Sequence, residues 1–166
     1  MLDGLSASLL DFVTQPEISE RGYITMAEAH ILRIDSLPVV DRGNGIQTIP
    51  LVTKEIGAKH ITTGLTRFPA GAKVPLHSHN CDEQVTILEG EAEAEVDGQR
   101  HRLHPFDTTL VPADKPHRFV NVGTSHLTIM WIYTSGEVTR TFTETGETVA
   151  HLSDRDLVSP LPLKDK

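Results

Sequence analysis

The chain has 166 residues, 38% of them hydrophobic and 23% charged, which provides for one sizeable core and argues against disorder over most of its length. The formal net charge of −8, with no basic run or basic–aromatic stripe, argues against a nucleic-acid partner. No apolar stretch approaches a membrane span, and the single Cys81 excludes an intramolecular disulfide framework.

The stretch MLDGLSASLLDFV carries an acid where a secretory leader carries positive charge, so a cytoplasmic location is expected. Leu5, Leu9, Phe12 and Val13 recur at helical spacing and predict one short helix over residues 3–14. Residues 15–23 are polar, hold Pro16 and Gly22, and read as a linker. Residues 30–34 read as a strand. Residues 46–52 and 60–68 read as further strands, and 42–45 and 69–72 as turns.

Strict alternation over residues 91–103, interrupted by Asp97-Gly98, predicts a hairpin with a type I′ turn. That register sets Glu95 opposite Arg100 and Glu93 opposite Arg102. It leaves Ala92, Ala94, His101 and Leu103 on the inward face. Strands follow at 108–111, 117–120 and 126–134, the last apolar on both faces, with two more possible within 136–142 and 147–152. Short strands between Gly and Pro turns, with little helix, indicate an all-β sandwich or barrel. Residues 159–166 read as a frayed tail.

Chemistry concentrates in PLHSHNCDE, residues 75–83. His77 and His79 lie two apart, so on a strand both imidazoles leave the same face. Glu83 follows a short loop and opens the next strand, and His117 opens a later one. Three imidazoles and a carboxylate make a borderline-hard N3O donor set suited to Fe, Mn, Ni, Co, Cu or Zn as one divalent ion, with coordination positions left open. Cys81 invites a sulfur-ligand or redox reading, but the donor set is complete without it, and a loop cysteine turned away is the expectation.

The spacing Gly71-x5-His77-x-His79-x3-Glu83-x6-Gly90 resembles the first signature of the cupin superfamily. Pro112-x-Asp114-x2-His117-x3-Asn121 resembles the second, with Phe106 and Asp114 standing where that signature carries turn glycines. The resemblance implies a double-stranded β-helix, or jelly-roll, barrel with metal inside, bound by His77, His79, Glu83 and His117. The organisation expected is an extension over 1–45 with a short helix and a strand, a barrel over 46–152, and a tail over 153–166.

Other residues carry blander readings. His101 is expected to line the core. His30, His104, His126 and His151 are expected in solvent, and Trp131 and Tyr133 in the core or an interface. Arg67 and Arg118 are candidates to meet an anionic substrate, although Arg118 flanks inward His117 and should point outward. No cofactor besides the metal is expected. The apolar strand over 127–133 and the extension suggest a homodimer.

The open donor set favours a small-molecule enzyme, first a dioxygenase-type oxidoreductase with Glu83 able to leave the metal and act as a base. The alternatives are a redox-neutral isomerase, epimerase or decarboxylase, and a binding barrel without catalysis.

Overall fold

The computed structural model describes residues 16–18, 24–26 and 29–158. The chain divides into two units, residues 1–32 and 33–166. In the first, β1 (Pro16–Ile18) and β2 (Ile24–Met26) pair antiparallel, so a strand stands inside the stretch read as a linker. The helix expected over residues 3–14 and the tail over 159–166 lie outside the described residues. The strand expected over 30–34 is absent: residues 29–33 take no regular form, and Ile34–Ser36 makes a 3-10 turn. A short apolar run alone does not make a strand without a partner edge. Among the described residues, no helix is long and apolar enough to cross a membrane.

The second unit is all-β. Its strands are β3 (Val40–Gly43), β4 (Ile46–Val52), β5 (Thr62–Phe68), β6 (His77–His79), β7 (Glu83–Glu89), β8 (Ala92–Val96), β9 (Gln99–Leu103), β10 (Thr108–Val111), β11 (His117–Asn121), β12 (Leu127–Tyr133), β13 (Thr139–Phe142) and β14 (Thr148–Ala150). They form two antiparallel six-stranded sheets, ordered β10-β7-β12-β5-β4-β3 and β14-β13-β6-β11-β8-β9. This is the jelly-roll arrangement expected. Alternation drives it: β5, β6, β7 and β11 each bury every second residue. The buried residues, among them Ile46, Phe68, Val85, Ile87, Phe119 and Trp131, form one core. The doubly apolar β12 lies inside its sheet, with both edges paired to β5 and β7.

The β8–β9 hairpin has the expected register, with Glu95 opposite Arg100, Glu93 opposite Arg102 and Val96 opposite Gln99. Asp97 and Gly98 have φ of 50° and 78°, the positive pair that a type I′ turn needs. His101 corrects its expectation. It is exposed, because β9 closes its sheet as an edge strand that its neighbour does not fully cover.

Phe106 and Asp114, at the two departures from the glycine pattern, have φ of 73° and 64°. The turns therefore keep the left-handed backbone without the glycine. Gly90 is held more tightly: with φ at 84°, an added Cβ would meet the His126 carbonyl oxygen at 2.5 Å and Leu127 Cα at 2.9 Å. Gly90→Ala should therefore lower the unfolding free energy by about 1–3 kcal/mol. Urea denaturation checks this, and an unchanged midpoint would contradict it.

Candidate metal centre

The strand pairings place the four predicted donors at one level of the interior. His77 is the cross-strand partner of His117, so their side chains leave the same face of one sheet. His79 follows two residues along β6, on the same face. Glu83 comes from β7 in the other sheet and is likewise buried. The imidazole rings of His77 and His117 lie 4.5 Å apart between centroids, and those of His77 and His79 lie 4.8 Å apart. One ligand atom from each of His77, His79 and His117 falls within 4.8 Å of the others.

Backbone carbonyls fix the tautomers. His77 Nδ1 donates to the Pro75 carbonyl at 2.7 Å, His79 Nδ1 to that of Thr139 at 2.8 Å, and His117 Nδ1 to that of Lys115 at 2.8 Å. A carbonyl oxygen only accepts, so each Nδ1 carries the hydrogen and each neutral ring presents Nε2 as a lone pair. Glu83 Oε2 lies 2.7 Å from His117 Nε2, yet neither buried atom has a well-aligned hydrogen-bond partner. Two acceptors that close, both out of water, call for a shared cation or proton between them. The donors present therefore fit a divalent transition ion.

Electrostatics agree. Burial holds the His77 imidazole well below its ordinary value, with Arg140 and the neighbouring imidazoles adding to the effect. Burial likewise brings His79 down to about 4. For Glu83, burial pushes the carboxyl up, but His117, His79 and Tyr133 outweigh it and hold it down to about 2. At neutral pH His77 and His79 are thus neutral and Glu83 is a carboxylate, the protonation states that metal ligation requires of them. Cys81 stands outside the cluster. Burial raises its thiol to about 11, so it stays protonated at neutral pH.

Further residues face this site that the sequence left in other roles. Tyr133 is the cross-strand partner of Glu83, and its hydroxyl lies 3.1 Å from His79 Nε2. His151, expected in solvent, has a side chain only 4% exposed, packed against the rings of Trp131 and Tyr133. It follows a strand, and the chain turns back over the core instead of leaving it. Arg118, partly buried, pairs with Glu95 at 2.7 Å, and Arg67 is exposed. The arginines that line the interior are Arg42 and Arg140 instead. Arg140 is the cross-strand partner of His79, a neighbour that only the register reveals.

The comparisons with known proteins agree with this geometry. The family described as "Cupin domain" matches residues 64–133, which contain all four predicted donors. A curated relative, the polyketide synthase protein CurC of Streptomyces cyaneus, is 32% identical over 83 residues. That match spans 49% of this chain and 53% of the relative, about half the length of each.

The crystal structure of the polyketide cyclase RemF from Streptomyces resistomycificus superposes with a TM-score of 0.60 at 14% identity, covering 78% of this chain and 89% of that one. An RmlC-like cupin from Shewanella frigidimarina gives a TM-score of 0.58 at 20% identity, covering 65% and 92%.

The buried imidazoles set a pH dependence. His77, His79 and His151 have depressed values in the fold and about 6.5 when unfolded, so the unfolded chain binds more protons below that pH. The stability of metal-free protein should therefore be complete above about pH 6.5 and fall as pH drops towards 4. Urea midpoints across that window check it, and a flat profile would contradict it. Residues 64–133 match the cupin domain family, and the two six-stranded sheets around their imidazoles give the chain the jelly-roll fold of cupin structures.

Proposed function

We propose that this chain is a metal-dependent, redox-neutral enzyme acting on a small β-dicarbonyl compound of polyketide type. The observation that carries the reading is the convergence of three tautomer-fixed imidazoles on one buried point, with Glu83 2.7 Å from His117 and the Tyr133 hydroxyl 3.1 Å from His79. His77, His79, His117 and Glu83 would hold the ion. Bound there, it would supply Lewis-acid polarisation of a substrate carbonyl or, if redox-active, oxygen chemistry.

The remaining work falls to protein groups. Burial, with Glu83 adding to it, keeps Tyr133 well above the ordinary phenol value, so at neutral pH it remains an O–H donor. Its hydroxyl now points at the His79 Nε2 lone pair; once that lone pair is engaged elsewhere, the proton is available to a substrate oxygen. Glu83 stays a carboxylate and is the nearby acceptor for a proton from carbon. Phe68, Phe119, Ile129 and Trp131 form an apolar part of the cavity wall. The curated relative's name supports a polyketide-type substrate.

A dioxygenase is the second reading, favoured by the N3O donor set with open positions. Tyr133 supplies a proton donor separate from Glu83, which moves the balance to redox-neutral chemistry.

His77→Ala and His117→Ala should each lose the metal while keeping the far-ultraviolet dichroism of the folded barrel. Unchanged metal content by elemental analysis would refute the site. Tyr133→Phe should retain the metal and lower kcat by about 10²–10⁴-fold. Turnover of a β-dicarbonyl substrate should continue under strict anaerobiosis; strict dependence on dioxygen would instead establish the second reading.

A further inference from the structure

A second set of charges is buried beside the histidines. Arg42, Arg140 and Asp156 are 3%, 5% and 0% exposed. Asp156 Oδ1 lies 2.7 Å from Arg42 Nη2 and 2.7 Å from Arg140 Nη1, and its Oδ2 accepts from the Leu152 amide at 2.8 Å. Arg42 Nε donates to the Asp156 carbonyl at 2.7 Å. One carboxylate does not satisfy two guanidinium groups: Arg42 Nη2 is poorly aligned for a hydrogen bond, and Arg140 Nε has no partner. Buried donors of this kind are costly unless something pairs with them.

Both arginines line the same cavity as His77, Glu83, Tyr133 and Trp131. Its volume is about 30 Å³, room for a water molecule and not for an organic substrate.

The carboxylate that meets these arginines comes from residues 151–158, a segment without regular strand. It is fastened at its ends, by the His151 amide to the Val138 carbonyl at 2.9 Å and by the Val158 amide to the Arg42 carbonyl at 2.9 Å. Between them, Leu152 holds a left-handed φ of 64°. Val158 also lines the cavity. The segment is therefore one wall of the cavity, and Asp156 is its main polar tie to the interior.

We propose that Arg42 and Arg140 form an anion subsite beside the metal centre, which receives a carboxylate or enolate oxygen of the substrate. Asp156 occupies that subsite in the closed state, and the substrate's anionic group replaces it as residues 151–158 lift. The subsite deepens the function proposed above and rests on its placing the reaction in this cavity. It makes the preferred substrate an acidic carbonyl compound, and it explains how a cavity of one-water size admits one.

The test uses full-length protein stripped of metal with a chelator, so that loss of the metal site leaves the readout intact. The probes are malonate and its neutral diamide, malonamide. Malonate should quench Trp131, which is the chain's one tryptophan and lines the cavity, and should speed amide hydrogen exchange over residues 151–158. Malonamide should do neither.

Arg140→Gln should weaken malonate binding by about ten-fold or more, the loss of one charge-assisted hydrogen bond. Asp156→Asn should tighten it by about ten-fold, through removal of the internal competitor. If Asp156→Asn does not fold, wild type and Arg140→Gln decide alone. An equal response to malonamide, no response in wild type, or wild-type affinity in Arg140→Gln would overturn the subsite. If the subsite fails while metal uptake persists, only this inference falls.

Discussion

The structure depends on one constraint: four polar donors are buried in an apolar core, and each must be satisfied there. Three imidazoles meet half of that requirement by giving Nδ1–H to backbone carbonyls at Pro75, Lys115 and Thr139. Those bonds have a consequence, because they leave every Nε2 with an inward lone pair. Glu83 adds a carboxylate to the same point from the opposite sheet. The barrel thus builds a pocket of acceptors suited to a cation. The two sheets are what make this possible, since the histidines share one and the glutamate comes from the other.

The same logic extends along the interior. Arg42 and Arg140 bring excess donors where the histidine cluster brings excess acceptors. Lining one small cavity together, they offer it both donors and acceptors. A substrate with an acidic carbonyl has groups to match both. Asp156 keeps the arginines stable in the meantime and ties residues 151–158 to the core. Tyr133 lies beside the histidines, and its raised value keeps it a donor.

Much of this was legible in the sequence, and the remainder shows what pattern reading lacks. Alternation and turn chemistry were enough for β7 and the β8–β9 hairpin, because period-2 burial and Asp97-Gly98 act locally. The spacing of His77, His79, Glu83 and His117 survives because each opens or lies on a short strand near a turn.

Residues 30–34 failed for the opposite reason: among the described residues their apolar run has no partner strand. His101 failed because the sequence does not say which strand ends a sheet. Tyr133, Arg140 and Asp156 were missed because their importance lies in cross-strand registers and in a chain reversal after β14. Arg140 and Phe142 alternate on β13, so the inward face was readable once its pairing with β6 was known.

The central claim is that the three imidazoles and Glu83 are ligands of one ion. X-ray absorption at the metal edge, on protein purified without added metal and dialysed, tests it most directly. The account predicts one bound ion per chain, with three imidazole nitrogens and a carboxylate oxygen among its nearest neighbours and no sulfur. A protein that retains no ion, or an ion whose shell includes the sulfur of Cys81, would contradict it.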